Sequence, residues 1–121
     1  MLDDAWNPNA NNSVLEITIA GNDIYVGGAF TNIGGVTRNR IAKLNNTNGA
    51  PDGAWNPNAN NSVFEIAVSE SDVYVGGAFS IIGGQNRSRL AKLNNTDGAA
   101  IWQWNPNPTS TEQFAGLYVN I

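Results

Sequence analysis

The stretch WNPNANNSV occupies residues 6–14, and the same nine letters return at residues 55–63. Farther along the chain, YVGGAF at residues 25–30 returns at 74–79, and AKLNNT at 42–47 returns at 91–96. The two copies, residues 6–54 and 55–103, are identical at 31 of 49 positions, and a third copy begins at Trp104. A fixed period of about fifty residues is typical of stacked or radial arrays, in which one unit cannot bury its apolar face alone.

The period also predicts how the chain is divided. We expect one repeat domain over residues 1–121, in which residues 1–5 are the end of a preceding unit and 6–54 and 55–103 are full repeats. Residues 104–121 form a partial third unit, where residues 108–112 replace the motif of residues 10–14. The chain therefore begins in mid-repeat, and its last unit is shortened or altered.

Composition narrows the classes of function. The chain has no Cys and no His, which removes thiol nucleophiles, imidazole bases and the usual zinc ligands. Charged residues make up 13% and the net charge is -4, which does not favour a nucleic-acid partner. No apolar run reaches the roughly 20 residues of a membrane span, and residues 1–7 do not resemble a signal peptide. We expect no enzyme, no metal or cofactor, and no membrane insertion.

Apolar and polar residues alternate after the WNPN motif. Leu15, Ile17 and Ile19 are separated by polar residues, which predicts a strand with one buried face. The polar residues 20–23 predict a hairpin into a second strand over 24–30, which is rich in β-branched and aromatic residues. Because no window has the apolar spacing of a helix, the predicted fold class is all-β.

Two further strands are expected in each repeat. A glycine loop at residues 31–35 leads into a third strand over 38–44, with Arg38, Arg40, Ala42 and Leu44 on one face. The pairs Asn48-Gly49 and Asp97-Gly98 predict tight hairpins, after which the chain returns as a fourth strand that ends at the tryptophan. Four antiparallel strands per repeat form a β-propeller blade.

The motifs also resemble known families. A double glycine after Tyr25-Val26, with a tryptophan at the end of the fourth strand, resembles the kelch repeat. The set WNPN, YVGGAF, IGG, RxR and AKLN is more closely similar to repeats of bacterial propellers in long secreted and surface proteins. This resemblance covers residues 1 to about 107. It implies an extracellular or cell-surface location and roles in adhesion, scaffolding or sugar binding, with enzymes a minority.

The repeated glycines and tryptophans each have two interpretations. The glycines either allow close approach of a ligand or allow a neighbouring blade to pack against the strand end. The tryptophans form either a sugar-stacking platform or wedges between blades. Trp102 has no counterpart in the first copy, where Gly53 stands, and is the better candidate for an exposed aromatic. The repeated positions are Gly27, Gly28, Gly76, Gly77, Trp6, Trp55 and Trp104.

All six cations fall in the predicted third strands. A ring of arginines presents planar forks that suit an anionic ligand. Alternatively, the cations satisfy loop carbonyls and pair with Asp23, Asp72 or Glu16 in neighbouring strands. The candidate ligand-binding residues are therefore Trp102, Arg38, Arg40, Arg87 and Arg89, and the remaining cations are Lys43 and Lys92.

Three hypotheses for function remain. The first is a non-enzymatic scaffold that associates head to tail, because two blades cannot close a ring and leave residues such as Leu15, Ile17, Phe64 and Ile66 partly in water. In this hypothesis the N-terminal strand of one copy completes the partial C-terminal blade of the next, giving a ring or a filament. The second is a carbohydrate-binding propeller that uses Trp102. The third is a fragment of a larger secreted propeller protein.

Overall fold

The computed structural model describes residues 6–107, and this part of the chain is all-β, with ten strands and no helix. The longer strands of repeat 1 are β1 Val14–Ala20, β2 Asp23–Gly28 and β5 Ile41–Asn45, and those of repeat 2 are β6 Val63–Ser69, β7 Asp72–Gly77 and β10 Leu90–Asn94. In repeat 1 they form an antiparallel sheet with the order β1-β2-β5. In repeat 2 the matching sheet has the order β6-β7-β10.

The hairpin between the first two strands of each repeat is confirmed. In repeat 1, Ala20 pairs with Asp23 across a two-residue turn, and Gly21 adopts φ 61°. A register shift lies between Val14 and Glu16, and the same shift recurs between Val63 and Glu65. This bulge places Val63 rather than Phe64 on the buried face, since Val63 is 0% exposed and Phe64 is 37% exposed.

The loop at residues 31–35 contains a hairpin that the sequence analysis missed. The short strands β3 Asn32–Ile33 and β4 Val36–Thr37 pair across Gly34 and Gly35, which have φ 61° and 79°. Positive φ at both central residues is the geometry of a type I′ turn, which glycine adopts without strain. Repeat 2 repeats this hairpin with β8 Ile81–Ile82 and β9 Gln85–Asn86.

The third strand was predicted to begin at residue 38, which is too early. It starts at Ile41 in repeat 1, because Arg40 has φ 68° and this left-handed backbone interrupts the alternation of a strand. Arg89 has the same φ before β10. Arg38 and Arg40 therefore do not share a strand face with Ala42 and Leu44, as the sequence analysis had predicted.

The predicted fourth strand is reduced to one bridge in each repeat. Leu44 pairs with Pro51 and Leu93 pairs with Ala100, so each of the two larger sheets has three full strands. The predicted tight turn before it is present, with Gly49 N–H donating to Asn45 O over 2.8 Å. The return is short because the chain turns again at once, with Trp55 N–H donating to Asp52 O over 3.2 Å. Pro51 in repeat 1 also lacks the N–H that a ladder requires.

The two sheets pack face to face. We call the face that repeat 1 turns towards repeat 2 the trailing face, and it carries Tyr25, Gly27, Ile41 and Lys43. The opposite face is the leading face. In repeat 2 the leading face is covered by repeat 1, and its residues complete the larger apolar core, with Trp55, Val63, Ile66, Val73, Val75 and Leu93 among them.

The first strands of the two repeats differ in burial for this reason. Ile66 is 3% exposed, so the prediction that it lies partly in water is wrong: repeat 1 covers it. Its counterpart Ile17 is 59% exposed, and Leu15 is 49% exposed. The alternation predicted for Leu15, Ile17 and Ile19 is present in the sequence, but the described structure leaves these side chains largely in water.

Candidate functional site

The contact between the repeats is centred on Trp55. This side chain is 0% exposed, its indole meets the Tyr25 ring edge-on at 5.2 Å and 76°, and its Nε1 donates to Asn94 O over 2.9 Å. Trp55 therefore touches both repeats at once. Burial and the nearby carboxylates Asp23 and Asp52 raise the pKa of Tyr25 to about 12, so its hydroxyl stays neutral in this contact.

Trp6 and Trp104, which stand at the same repeat position as Trp55, make equivalent contacts. Trp104 meets the Tyr74 ring at 5.4 Å and 75°, which reproduces the Trp55 geometry one repeat later. Trp6 Nε1 donates to Asn45 O over 3.1 Å, as Trp55 does to Asn94. Both of these indoles are only partly buried.

Lys43 reinforces the contact from the trailing face. Its ammonium lies 5.5 Å from the Tyr25 ring centroid and 5.6 Å from that of Trp55, and it donates a hydrogen bond to Asn95 O of repeat 2. The side chain is 7% exposed, so these cation–π contacts are desolvated. Lys92 repeats the arrangement over Tyr74, at 5.7 Å.

One of the acidic partners predicted for the cations is found. Lys92 Nζ lies 3.7 Å from the carboxylate of Asp72, a predicted partner, whereas Lys43 Nζ lies 3.9 Å from that of Asp52, which was not predicted. Both carboxylates are substantially exposed, and such pairs contribute little free energy.

The WNPN motif of repeat 2 docks on the RxR motif of repeat 1. Ala59 N–H donates to Asn39 O over 3.2 Å, and Asn39 Nδ2 donates to Asn58 Oδ1 over 2.6 Å. Arg40 Nη1 donates to Ala59 O over 3.3 Å. Asn58 adopts φ 59°, a conformation that asparagine tolerates better than most residues. These two motifs are therefore two halves of one contact between repeats.

Arg38 and Arg87 direct their guanidinium groups at main-chain carbonyls. Arg38 donates to Thr37 O and Asp52 O over 2.8 and 3.2 Å. Arg87 is 5% exposed and donates to Ile101 O and Trp102 O over 3.1 and 2.9 Å. Both arginines fix the turn that delivers the next repeat's tryptophan. Among the described residues, the Nε atom of each is buried without a hydrogen-bond partner.

The four candidate arginines do not converge on one anion site. Arg40 reaches the next repeat, whereas Arg38 holds its own repeat's turn. Arg89 Nη1 donates to Ser88 Oγ over 2.9 Å. Trp102 is 70% exposed, and its carbonyl accepts the hydrogen bond from Arg87. It is therefore an exposed indole on an anchored backbone.

A repeated asparagine contact was missed in the sequence. Asn11 Oδ1 accepts from Thr31 N–H and Asn32 N–H over 2.9 and 3.1 Å, and its Nδ2 donates to Thr31 Oγ1 over 3.0 Å. Asn60 makes the same three contacts with Ser80 and Ile81. The signal that could have revealed it is the hydroxyl that both copies carry, 20 residues after the asparagine.

Two surface grooves in the described part of the chain are polar and shallow. The larger, about 430 Å³, is lined by residues of the WNPN motif, the Gly34-Gly35 turn and the Asn48–Ala50 turn. The smaller, about 220 Å³, contains Asp23 and Asp52. Among the described residues, no arginine and no tryptophan lines either groove. Within residues 6–107, no three acidic side chains cluster as metal ligands would, and no helix is long and apolar enough to cross a membrane.

A carboxyl group lies at the seam between the first strands. Glu16 of β1 faces repeat 2, and Thr18, also in β1, donates a hydrogen bond to Ile66 O of repeat 2 over 2.8 Å. Burial raises the pKa of Glu16, and the neighbouring Glu65 adds to this effect by hydrogen bonding and by its charge. Hydrogen bonds from main-chain groups at Ile66 and Ile17 oppose the shift without cancelling it.

Replacing Glu16 with glutamine is expected to raise the melting temperature at neutral pH. A raised folded-state pKa means that the ionised carboxylate costs stability above that pKa, and that the cost disappears below the ordinary value of 4.5. The advantage of the variant should therefore shrink as the pH falls towards 4.5. Calorimetric melting curves of both proteins across this range measure the difference. An advantage that grows on acidification would contradict the assigned direction.

Comparison with known protein families gives a match over both repeats. The family model described as "Domain of unknown function (DUF5122) beta-propeller" matches residues 22–53 and 72–100, which together make up half of the chain. The matched stretches cover strands β2 to β5 of repeat 1 and β7 to β10 of repeat 2. No curated protein and no solved structure matches.

The chain therefore belongs to this family of β-propeller domains. The match supports a propeller family, and it does not distinguish the kelch-like motifs from those of other propeller repeats.

Proposed function

We propose that this chain is a non-enzymatic interaction module that associates with further copies of itself to build a propeller-type scaffold outside the cell or at its surface. One observation carries the proposal. Val63 and Ile66, on the first strand of the leading face, are buried in repeat 2, where repeat 1 covers them, whereas the identical residues Val14 and Ile17 of repeat 1 are exposed. The other strands of that face in repeat 1 are already buried, at Val26, Ala42 and Leu44.

The uncovered surface is apolar and continuous along one strand. Val14, Ile17 and Ile19 are 40%, 59% and 72% exposed, and we call them the β1 patch. Contiguous exposed apolar side chains of this kind mark interaction surfaces in soluble proteins. The absence of His and Cys from the sequence, and the polar, shallow grooves of the described part, support an interaction role rather than catalysis.

The proposal predicts a molar mass that rises with concentration. Light scattering after size exclusion at micromolar concentrations should give values above the 12.9 kDa of one chain. Ile19→Glu, which places a charge in the β1 patch, should return the mass to that of one chain. Ile81→Glu is the matched control, because Ile81 is also an exposed apolar residue, 45% accessible, but lies on repeat 2. A compact monomer for the parent protein would contradict self-association.

Strand completion is a separate form of this proposal. The residues that it requires, 1–5 and 108–121, lie outside the described part of the chain, so it stays a prediction. Deleting residues 1–6 should disperse a ring or filament held by strand exchange. Whether the product is a ring or a filament depends on whether the rotation between copies closes.

A second candidate function is carbohydrate binding, favoured by Trp102. Its indole is 70% exposed while the main chain beside it is held by the buried Arg87, which gives a rigid apolar platform of the kind on which sugar rings stack. A glycan array should then show binding that Trp102→Ala abolishes and Trp102→Phe partly retains, since phenylalanine keeps a flat ring. Silence across the array, or equal binding by Trp102→Ala, would contradict a lectin role.

A further inference from the structure

We infer that the leading face of repeat 1 docks on the trailing face of repeat 2 in a second copy, so that the contact inside one chain is repeated between chains. This inference rests on the proposed self-association and specifies its geometry. Repeat 2 already meets repeat 1 through such a pair of faces, and the sequence period makes the leading face of repeat 1 and the trailing face of repeat 2 copies of that pair.

On the leading face of repeat 1, the first strand lacks a cover, whereas Val26, Ala42 and Leu44 on the other two strands are buried. Val14 is 40% exposed whereas its counterpart Val63 is 0% exposed, and Ile17 is 59% exposed whereas Ile66 is 3% exposed. Inside the chain, Val63 and Ile66 reach the backbone of Gly27: a Cβ at residue 27 would lie 2.6 Å from Val63 Cγ1 and 3.1 Å from Ile66 Cδ1. In the docked pair, Val14 and Ile17 would face Gly76, the counterpart of Gly27.

The trailing face of repeat 2 keeps the chemistry of repeat 1. Tyr25 and Ile41 are 1% and 0% exposed in repeat 1, whereas Tyr74 and Leu90 at the same places are partly exposed. The Lys92 side chain is 23% exposed, against 7% for Lys43. Lys43 donates to Asn95 O across the internal contact, and Lys92 would donate to Asn46 O of the second copy.

Trp6 of the second copy must compete with Trp104 for the place beside Tyr74. Trp104 now fills that place, but the unit that it begins departs from the repeat at Pro108, where Ala10 and Ala59 stand in the others. Ala59 N–H donates to Asn39 O, and a proline has no N–H with which to make the equivalent bond to Ser88 O. A second copy supplies Ala10, which carries the N–H that this bond requires.

Mixing two singly blocked variants tests this head-to-tail geometry. Ile17→Glu blocks the leading face and leaves the trailing face intact, whereas Gly76→Val blocks the trailing face and leaves the leading face intact. Each variant alone should sediment at 12.9 kDa, and an equimolar mixture should form a dimer that contains one of each. A mixture that stays monomeric would overturn the inference. So would Gly76→Val that associates like the parent, because a contact between two leading faces does not involve residue 76.

Two further variants keep the test independent of folding at residue 76. Lys92→Ala should weaken association about tenfold by removing a charge-assisted hydrogen bond. Trp104→Ala should strengthen it, because the competitor for Tyr74 is gone, and weaker association would overturn the displacement step. Circular dichroism melting verifies that each variant is folded. A monomeric parent would refute the proposed function itself, whereas an associating parent that responds to Ile17→Glu but not to Lys92→Ala or Gly76→Val would refute only the pairing.

Discussion

Replacing Trp55 with alanine is expected to destabilise the protein by about 3 to 5 kcal/mol, the range for truncating a large aromatic side chain in a core. Trp55 is 0% exposed and belongs to the core that joins the two repeats. The truncation also removes the edge-on contact with Tyr25, the hydrogen bond to Asn94 O and one of the two rings beside the Lys43 ammonium. A buried cation would then lose part of its compensation, which adds to the cost of the cavity.

Trp6→Ala is the matched control for this substitution. Trp6 makes the same Nε1 hydrogen bond, to Asn45 O, but it is only partly buried and packs against the smaller core. Its removal should therefore cost clearly less than removal of Trp55. Urea denaturation followed by fluorescence of the remaining tryptophans gives both free energies of unfolding. Equal losses for the two variants would contradict the assignment of Trp55 as the residue that couples the repeats.

Local turn chemistry explains why much of the fold could be predicted from the sequence. The hairpins at Gly21 and Gly49 could be predicted because a glycine, which accepts positive φ, lies next to a stretch of alternating polar and apolar residues. The repeat period then transfers each assignment to the second copy, and the family match supports the propeller assignment. The Gly34-Gly35 hairpin could have been recognised by the same rule, since two adjacent glycines between β-branched residues favour a type I′ turn.

The errors came from effects that alternation does not encode. The RxR motif has the spacing of a strand, but Arg40 has a left-handed backbone and its side chain donates to Ala59 O in the next repeat. The sequence around Arg40 does not indicate this contact, so the break in the strand could not be predicted. The prediction of a full fourth strand was wrong for a related reason, because the chain turns after a single bridge to place Trp55 between the sheets. Both departures serve contacts between repeats, and these contacts join residues far apart in sequence, such as Arg40 with Ala59 and Tyr25 with Trp55.

Burial at the candidate site also could not be read from the sequence. Ile17 and Ile66 are identical residues at identical repeat positions, but one is 59% and the other 3% exposed. The difference arises from the position of each repeat in the stack and not from any local pattern. The anchoring of Trp102 by Arg87 could not be predicted for another reason, because the acceptor is a main-chain carbonyl 15 residues away, which no side-chain pattern indicates.

Gly28→Val is expected to destabilise the protein by about 3 kcal/mol, the upper part of the range for forcing extra atoms into a packed site. A Cβ at residue 28 would lie 2.1 Å from Ser13 O and 3.0 Å from Val14 Cα, and both are main-chain atoms that cannot rotate away. The neighbouring Ala29 N–H donates to the same Ser13 O over 2.9 Å, so relief of the clash would break a hydrogen bond at the start of β1. For a chain of this size, the loss corresponds to a melting temperature lower by roughly 10 °C.

The repeat supplies an internal replicate of this experiment. A Cβ at Gly77 would lie 2.2 Å from Ser62 O, so Gly77→Val should cost about the same free energy. Gly53→Ala is the control, because a Cβ at residue 53 would meet nothing within 4 Å and residue 53 has no positive φ. Its melting temperature should match the parent's or rise slightly, since alanine reduces the entropy of the unfolded chain. If Gly28→Val melts within a degree or two of the parent, then the backbone of residue 13 can move away from β2, and the double glycine is not a packing requirement.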